Sequence, residues 1–154
     1  MSLLKVIVFT VGDGYYALPS ANVKEIIDND EGVLHIVYGG DTLKGVIMHE
    51  GELASVLDTP EILGIRDVKK TPFILVCRES RESSAVGLTI SAVKGIEFVD
   101  TGQIKAAGTG EASYISGFMR ESSDRMNKVA AILEIHKFLE TSDERIERIS
   151  ALSA

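Results

Sequence analysis

The second half of this chain repeats the layout of its first. Ala21-Asn22-Val23-Lys24-Glu25-Ile26-Ile27 is echoed by Ser91-Ala92-Val93-Lys94-Gly95-Ile96-Glu97, and Leu43-Lys44-Gly45-Val46-Ile47-Met48 by Ile115-Ser116-Gly117-Phe118-Met119. The offset is about 70 residues both times. That is too long for a solenoid unit and right for a lobe of small-domain size. The 154 residues therefore read as one compact domain or two small, intimately packed subdomains. A duplicated layout with no evident catalytic kit points to surfaces for binding.

Composition excludes several classes. An apolar content of 45% supplies a core, and no run is long enough to cross a membrane. Met1-Ser2-Leu3-Leu4-Lys5 runs into a strand-like segment and lacks the flank and cleavage site of a secretory signal. The single cysteine, Cys77, cannot form an internal disulfide, so a cytoplasmic protein is expected. A net charge of −7 repels nucleic-acid phosphates. The nearest basic groups, Lys69-Lys70 and Arg120, Arg125 and Lys128, are interleaved with acids and read as solvated surface.

Along the chain, short strands alternate with turns. Val6 to Val11 is a β-branched run expected to be covered on both faces, Gly12-Asp13-Gly14 turns the chain, and Tyr15 to Leu18 returns before Pro19. Val23 to Ile27 reads equally as strand or helical turn. Leu43 to His49 and Leu53 to Leu57 form strands around a Glu50-Gly51-Glu52 turn. Thr59-Pro60-Glu61-Ile62-Leu63-Gly64 has a capping threonine, an N-terminal proline and a glycine stop, the grammar of a short helix. Phe73 to Cys77 opens the second lobe, Arg78 to Ser84 is a polar turn, and Ala85 to Ile90 is the answering strand. Strands continue over Gly95 to Val99, Tyr114 to Arg120 and Val129 to Leu133, with Ala106 to Ala112 as a loop. Ile135, Phe138, Leu139, Ile146, Ile149 and Leu152 share helical spacing; Thr141 and Glu144 make a capping box at which the helix is expected to break and restart, with Glu144 and Arg148 as an i, i+4 pair. Many short strands and little helix imply a mainly β fold of small barrels.

The candidates for chemistry are weak. Cys77 sits in an apolar strand with no activating base in view, which describes a packed or edge thiol. His35, His49 and His136 are widely separated and lack metal-ligand spacing. His49, at a strand end beside a turn, suits a surface role. Gly108-Thr109-Gly110 lacks the lysine of a phosphate loop and the third glycine of a dinucleotide fingerprint. The pairs Asp28 and Asp30, and Glu50 and Glu52, are common turn and strand-edge acids whose spacing implies no acid–base role, and Glu50 and Glu52 can also block edge pairing. Ile47 and Met48 are consecutive on a strand and point to opposite faces, so one of them can be an outward apolar anchor, although core burial is the default.

Taken in order, these segments resemble the chemotaxis coupling family CheW and the related regulatory domain of the kinase CheA. The resemblance rests on Phe9 to Pro19, Val23 to Ile27, Leu43 to Ile47 leading to Glu50-Gly51 and Val56-Leu57-Asp58, Gly87 to Ile96, and Ile115 to Phe118. It implies two SH3-like five-stranded β-barrel subdomains, with the N-terminal strand joining the second lobe. Subdomain 1 is placed at about residues 15–70, subdomain 2 at about 4–14 plus 71–134, and a C-terminal helix at about 135–152. It further implies a non-catalytic adaptor, without cofactor or metal, that links chemoreceptors to a CheA-type histidine kinase. The expected interaction residues are Val46, Met48, His49, Glu50 and Gly51. The chain departs from the family pattern where Glu50 stands for a usual arginine, Ser55 for a proline, Ser91 for an aspartate and Glu134 for an aspartate. Reversing a charge at an interface changes which partner is tolerated. The alternatives are a scaffold in a signalling system other than motility, or a double barrel that binds a small ligand.

Overall fold

The computed structural model describes residues 2–29, 34–35, 42–68, 70–120 and 128–153. Lys69, Arg125 and Asp30 lie outside them, as do the side chains of His35, Ile146, Arg148, Ile149 and Leu152. The elements are β1 (Leu3–Val11), β2 (Gly14–Pro19), β3 (Val23–Asp28), β4 (Leu34–His35), β5 (Leu43–His49), β6 (Glu52–Leu57), α1 (Thr59–Leu63), β7 (Phe73–Cys77), β8 (Val86–Ile90), β9 (Ala92–Asp100), β10 (Lys105–Ala106), β11 (Ile115–Arg120), β12 (Val129–Leu133) and α2 (Ile135–Ser153). They form two sheets of six strands each, ordered β10-β11-β12-β2-β1-β9 and β3-β7-β8-β6-β5-β4. The fold is mainly β with a C-terminal helix. Among the described residues the strands number six rather than five per sheet, and no backbone hydrogen bonds close either sheet on itself.

The two sheets have the same plan. Each takes four strands from one half of the chain and a hairpin from the other: β1–β2 sits among β9 to β12, and β7–β8 sits among β3 to β6. The inserted hairpin meets its host on one side through a parallel pairing, Tyr16 beside Ala131 in one sheet and Val56 beside Gly87 in the other, and on its other side through an antiparallel one, β1 with β9 and β7 with β3. Strand pairing therefore crosses the division of the chain near residue 70. Phe73 to Cys77 pairs with Val23 to Asp28, a first-half strand.

The sequence echoes mark β-bulges, where one strand carries an unpaired extra residue. In the pairing of β3 with β7 the register skips Lys24, and in β9 with β1 it skips Lys94. In β5 with β6 it skips Lys44, and in β11 with β12 it skips Ser116. The glycine after the last bulge is sterically required. A Cβ on Gly117 would stand 2.7 Å from the Lys105 carbonyl oxygen.

Alternation along the strands divides the core in three. Val6, Val8, Ala17, Met119, Ala130 and Ile132 pack together on one face of the first sheet, and Ile47, Ala54, Val56, Ile74 and Val76, with Ala85, on one face of the second. A larger cluster joins the sheets: Phe9, Val11 and Leu18 meet Leu75, Leu88 and Ile90, with Ile62 of α1 and Phe138 of α2. β1 thus feeds two cores, as its β-branched run suggests.

Two helix signals resolve differently from expectation. Thr59 lies inside α1 rather than capping it; the Thr89 hydroxyl, from β8, accepts from the Thr59 N–H at 3.1 Å and donates to the Leu57 carbonyl at 3.2 Å. Gly64 ends the helix at φ 73°, as its position suggested. α2 does not break at Thr141. That hydroxyl donates to the Lys137 carbonyl one turn back, so it satisfies itself within the helix. The N-cap of α2 is Glu134, whose carboxylate accepts from the backbone N–H groups of His136 and Lys137 at 3.3 and 2.8 Å. The milder departure from the family aspartate keeps a capping carboxylate. Ser91 likewise keeps an acceptor, its hydroxyl taking the Gly12 N–H at 2.9 Å.

Candidate functional site

The β5–β6 hairpin turns in two residues. Glu50 and Gly51 both have positive φ, 49° and 80°, the signature of a type I′ turn that matches strand twist. Glu52 belongs to β6, opposite His49. Period-two alternation then sorts the side chains. Ile47 and His49 point inward; Met48 points out and pairs directly with Leu53, and the two are 65% and 64% exposed. Val46, half-buried beside Ser55, extends that outer face.

Of the expected interaction residues, Met48, Glu50 and Gly51 are at the surface and Val46 partly so. His49 is buried at 5% exposure, because it falls on the inward beat of the strand. Its Nδ1 lies 3.1 Å from Glu25 Oε2 on β3. As β3 and β5 are four positions apart in the sheet, this contact ties one side of the curled sheet to the other. Its Nε2 faces Glu50 Oε1 at 3.8 Å without a hydrogen-bond partner.

Sequence reading missed two residues here. Leu53 doubles the apolar anchor; it was legible from strand alternation once the turn was shortened to two residues. Arg78 follows β7 and brings its Nη2 to 3.7 Å from Glu50 and 3.8 Å from Glu52. Its Nη1 donates to the Ser83 carbonyl at 2.7 Å. Asn22 fastens the base of this loop, donating to the carbonyls of Arg78 and Glu79 while its own carbonyl accepts from the Arg78 N–H. Arg78 reaches the tip from β7, with β8 between β7 and β6 in the sheet, so only tertiary pairing brings it there and no local signal pointed to it.

Beyond Arg78 the charged row continues. Glu79 contacts His136 Nδ1 on α2, and Glu140 lies 2.7 Å from its Nε2. The Glu79 hydrogen bond, then the charges of Glu79 and Glu140, raise the His136 pKa above its usual 6.5.

Other candidates fall away. Cys77 is fully buried, and burial alone pushes its thiol up to about 12, which leaves almost no thiolate near neutrality. Gly108 to Gly110 lies in an exposed turn region before β11. Among the described residues no three His, Cys, Asp or Glu side chains group to hold a metal, and no helix is long and apolar enough to cross a membrane.

Against this geometry, the profile of the CheW-like domain matches residues 5–143. The chain belongs to the CheW-like domain family. That family comprises non-catalytic adaptors and scaffolds of chemotaxis signalling. The CheW-like fold is also that of the scaffolding protein TtCheW from Thermoanaerobacter tengcongensis, with a TM-score of 0.75 at 22% identity over 90% of this chain and 94% of that one. No curated protein matches the chain. In this CheW-like chain the acidic Glu50 is matched by a basic Arg78 within the same molecule.

Proposed function

We infer that the protein is a cytoplasmic, non-catalytic adaptor coupling chemoreceptors to a CheA-type histidine kinase, with the tip of the β5–β6 hairpin as a docking surface. Each curled sheet is read as an SH3-like barrel whose convex side is available to partners. The observation that carries the docking assignment is the Met48–Leu53 pair. Two large apolar side chains stand side by side on an outer sheet face, and isolated apolar residues need no explanation while adjoining ones mark interaction sites. Burying such a side chain fully contributes about 1.5–3 kcal/mol.

Reconstitution with the organism's own kinase and receptors tests this reading. The native protein is expected to co-sediment with both, and Met48→Ala/Leu53→Ala to bind one of them at least about tenfold more weakly, about 1.4 kcal/mol. A folded native protein that recovers neither kinase nor receptor overturns the coupling role.

A further inference from the structure

The tip of the β5–β6 hairpin carries more acceptors than donors. Glu50 and Glu52 share one Arg78 nitrogen at 3.7 and 3.8 Å, beyond hydrogen-bonding distance, while the other terminal nitrogen is committed to Ser83. Neither carboxylate accepts a hydrogen bond among the described residues, and their side chains are 71% and 63% exposed. The buried His49 adds an independent sign. Its Nδ1 is held by Glu25 at 3.1 Å. Its buried Nε2 has no hydrogen-bond partner and is aimed at the Glu50 carboxylate at 3.8 Å. Two exposed carboxylates that accept no hydrogen bond from the described residues are best completed by a cationic donor.

We propose that this tip docks a protein segment in which an arginine adjoins a large apolar side chain. The guanidinium takes Glu50 and Glu52, and the apolar group rests on Met48 and Leu53. Arginine fits better than lysine because its planar fork presents several N–H groups to two carboxylates at once. Arg78 is a positioning residue: anchored to Ser83, it holds both glutamates on one side of the turn without saturating them. The proposal rests on the hairpin being the docking surface inferred above and adds the chemistry of what docks there.

The test is an NMR titration of the full-length, isotope-labelled protein at low salt with two short peptides. One has an Arg-Leu-Arg centre, the other Glu-Leu-Glu. The basic peptide is expected to shift the amides of Met48, Glu50 and Leu53 and to weaken at least tenfold against Glu50→Gln/Glu52→Gln, while the acidic peptide shifts none of them. Equal binding of both peptides, unchanged affinity in the double variant, or shifts confined to other surfaces overturns the proposal. Failure here with kinase and receptor binding intact removes only the arginine chemistry. Peptide binding without kinase or receptor binding removes only the coupling role.

Discussion

Replacing Glu50 by arginine restores the charge usual in the family but places it against Arg78. At 3.7 Å two unit charges interact by about 1 kcal/mol in water and about 4.5 kcal/mol at an effective dielectric of 20. The Glu50 side chain is 71% exposed, so the watery limit applies, and measured surface pairs contribute about 0.2–1 kcal/mol. Losing an attraction near the middle of that range and gaining a repulsion of the same size destabilises the fold by about 1 kcal/mol. Backbone strain does not enter the difference, since both residues carry a Cβ at the same positive φ. In a chain of this length that corresponds to a fall of about 2–4 °C in Tm. Urea unfolding at 50 mM and 1 M salt measures it, because screening at 1 M acts within about 3 Å and shrinks an exposed charge effect. A Glu50→Arg protein as stable as the native one at low salt, or equally weakened at both salts, refutes the Arg78 pairing as the cause.

Three further outcomes are expected. Gly117→Ala drives a methyl group into the Lys105 backbone; hydrogen exchange should show β10 released from β11, with an overall loss of about 1–3 kcal/mol, and a fully protected β10 would contradict the close approach. Glu134→Ala removes the acceptor for two helix N–H groups and should lower stability by about 1 kcal/mol in thermal melts, while Glu134→Asp keeps most of it. His136 should titrate above 6.5 by NMR, and Glu79→Gln should move it down. Since its folded value is the raised one, the stabilisation from its contacts is complete below the unfolded value and disappears as pH climbs through the folded one. A His136 that titrates at an ordinary position in the native protein would remove this pH dependence.

The local features were legible in sequence because their causes are local. A β-branched run makes β1, and a proline followed by a glycine four residues on makes α1; the echoed segments were legible as a repeat, while the bulges they carry show only in the strand register. What sequence could not show is which strand pairs with which. The exchange of β1–β2 and β7–β8 between the sheets depends on contacts far apart in the chain, and so does the arrival of Arg78 beneath Glu50. His49 was misread for a smaller reason. A strand's last residue still obeys the alternation, and a polar side chain on the inward beat is buried if a partner such as Glu25 waits there.

The exchanged hairpins also set an order on synthesis. β2 completes at Pro19, but its parallel partner β12 does not begin until Val129, about 110 residues later. At about 5–20 residues per second, that interval is roughly 6–20 s. Through it the N-terminal hairpin lacks β12, and until β9 is made at Asp100 it has neither of the strands that flank it in the finished sheet, whereas the strands of the other sheet are all made by Ile90. The nascent chain therefore carries an unclosed hairpin past one finished sheet, and a ribosome-bound fragment ending before Val129 should be the form that most needs a chaperone.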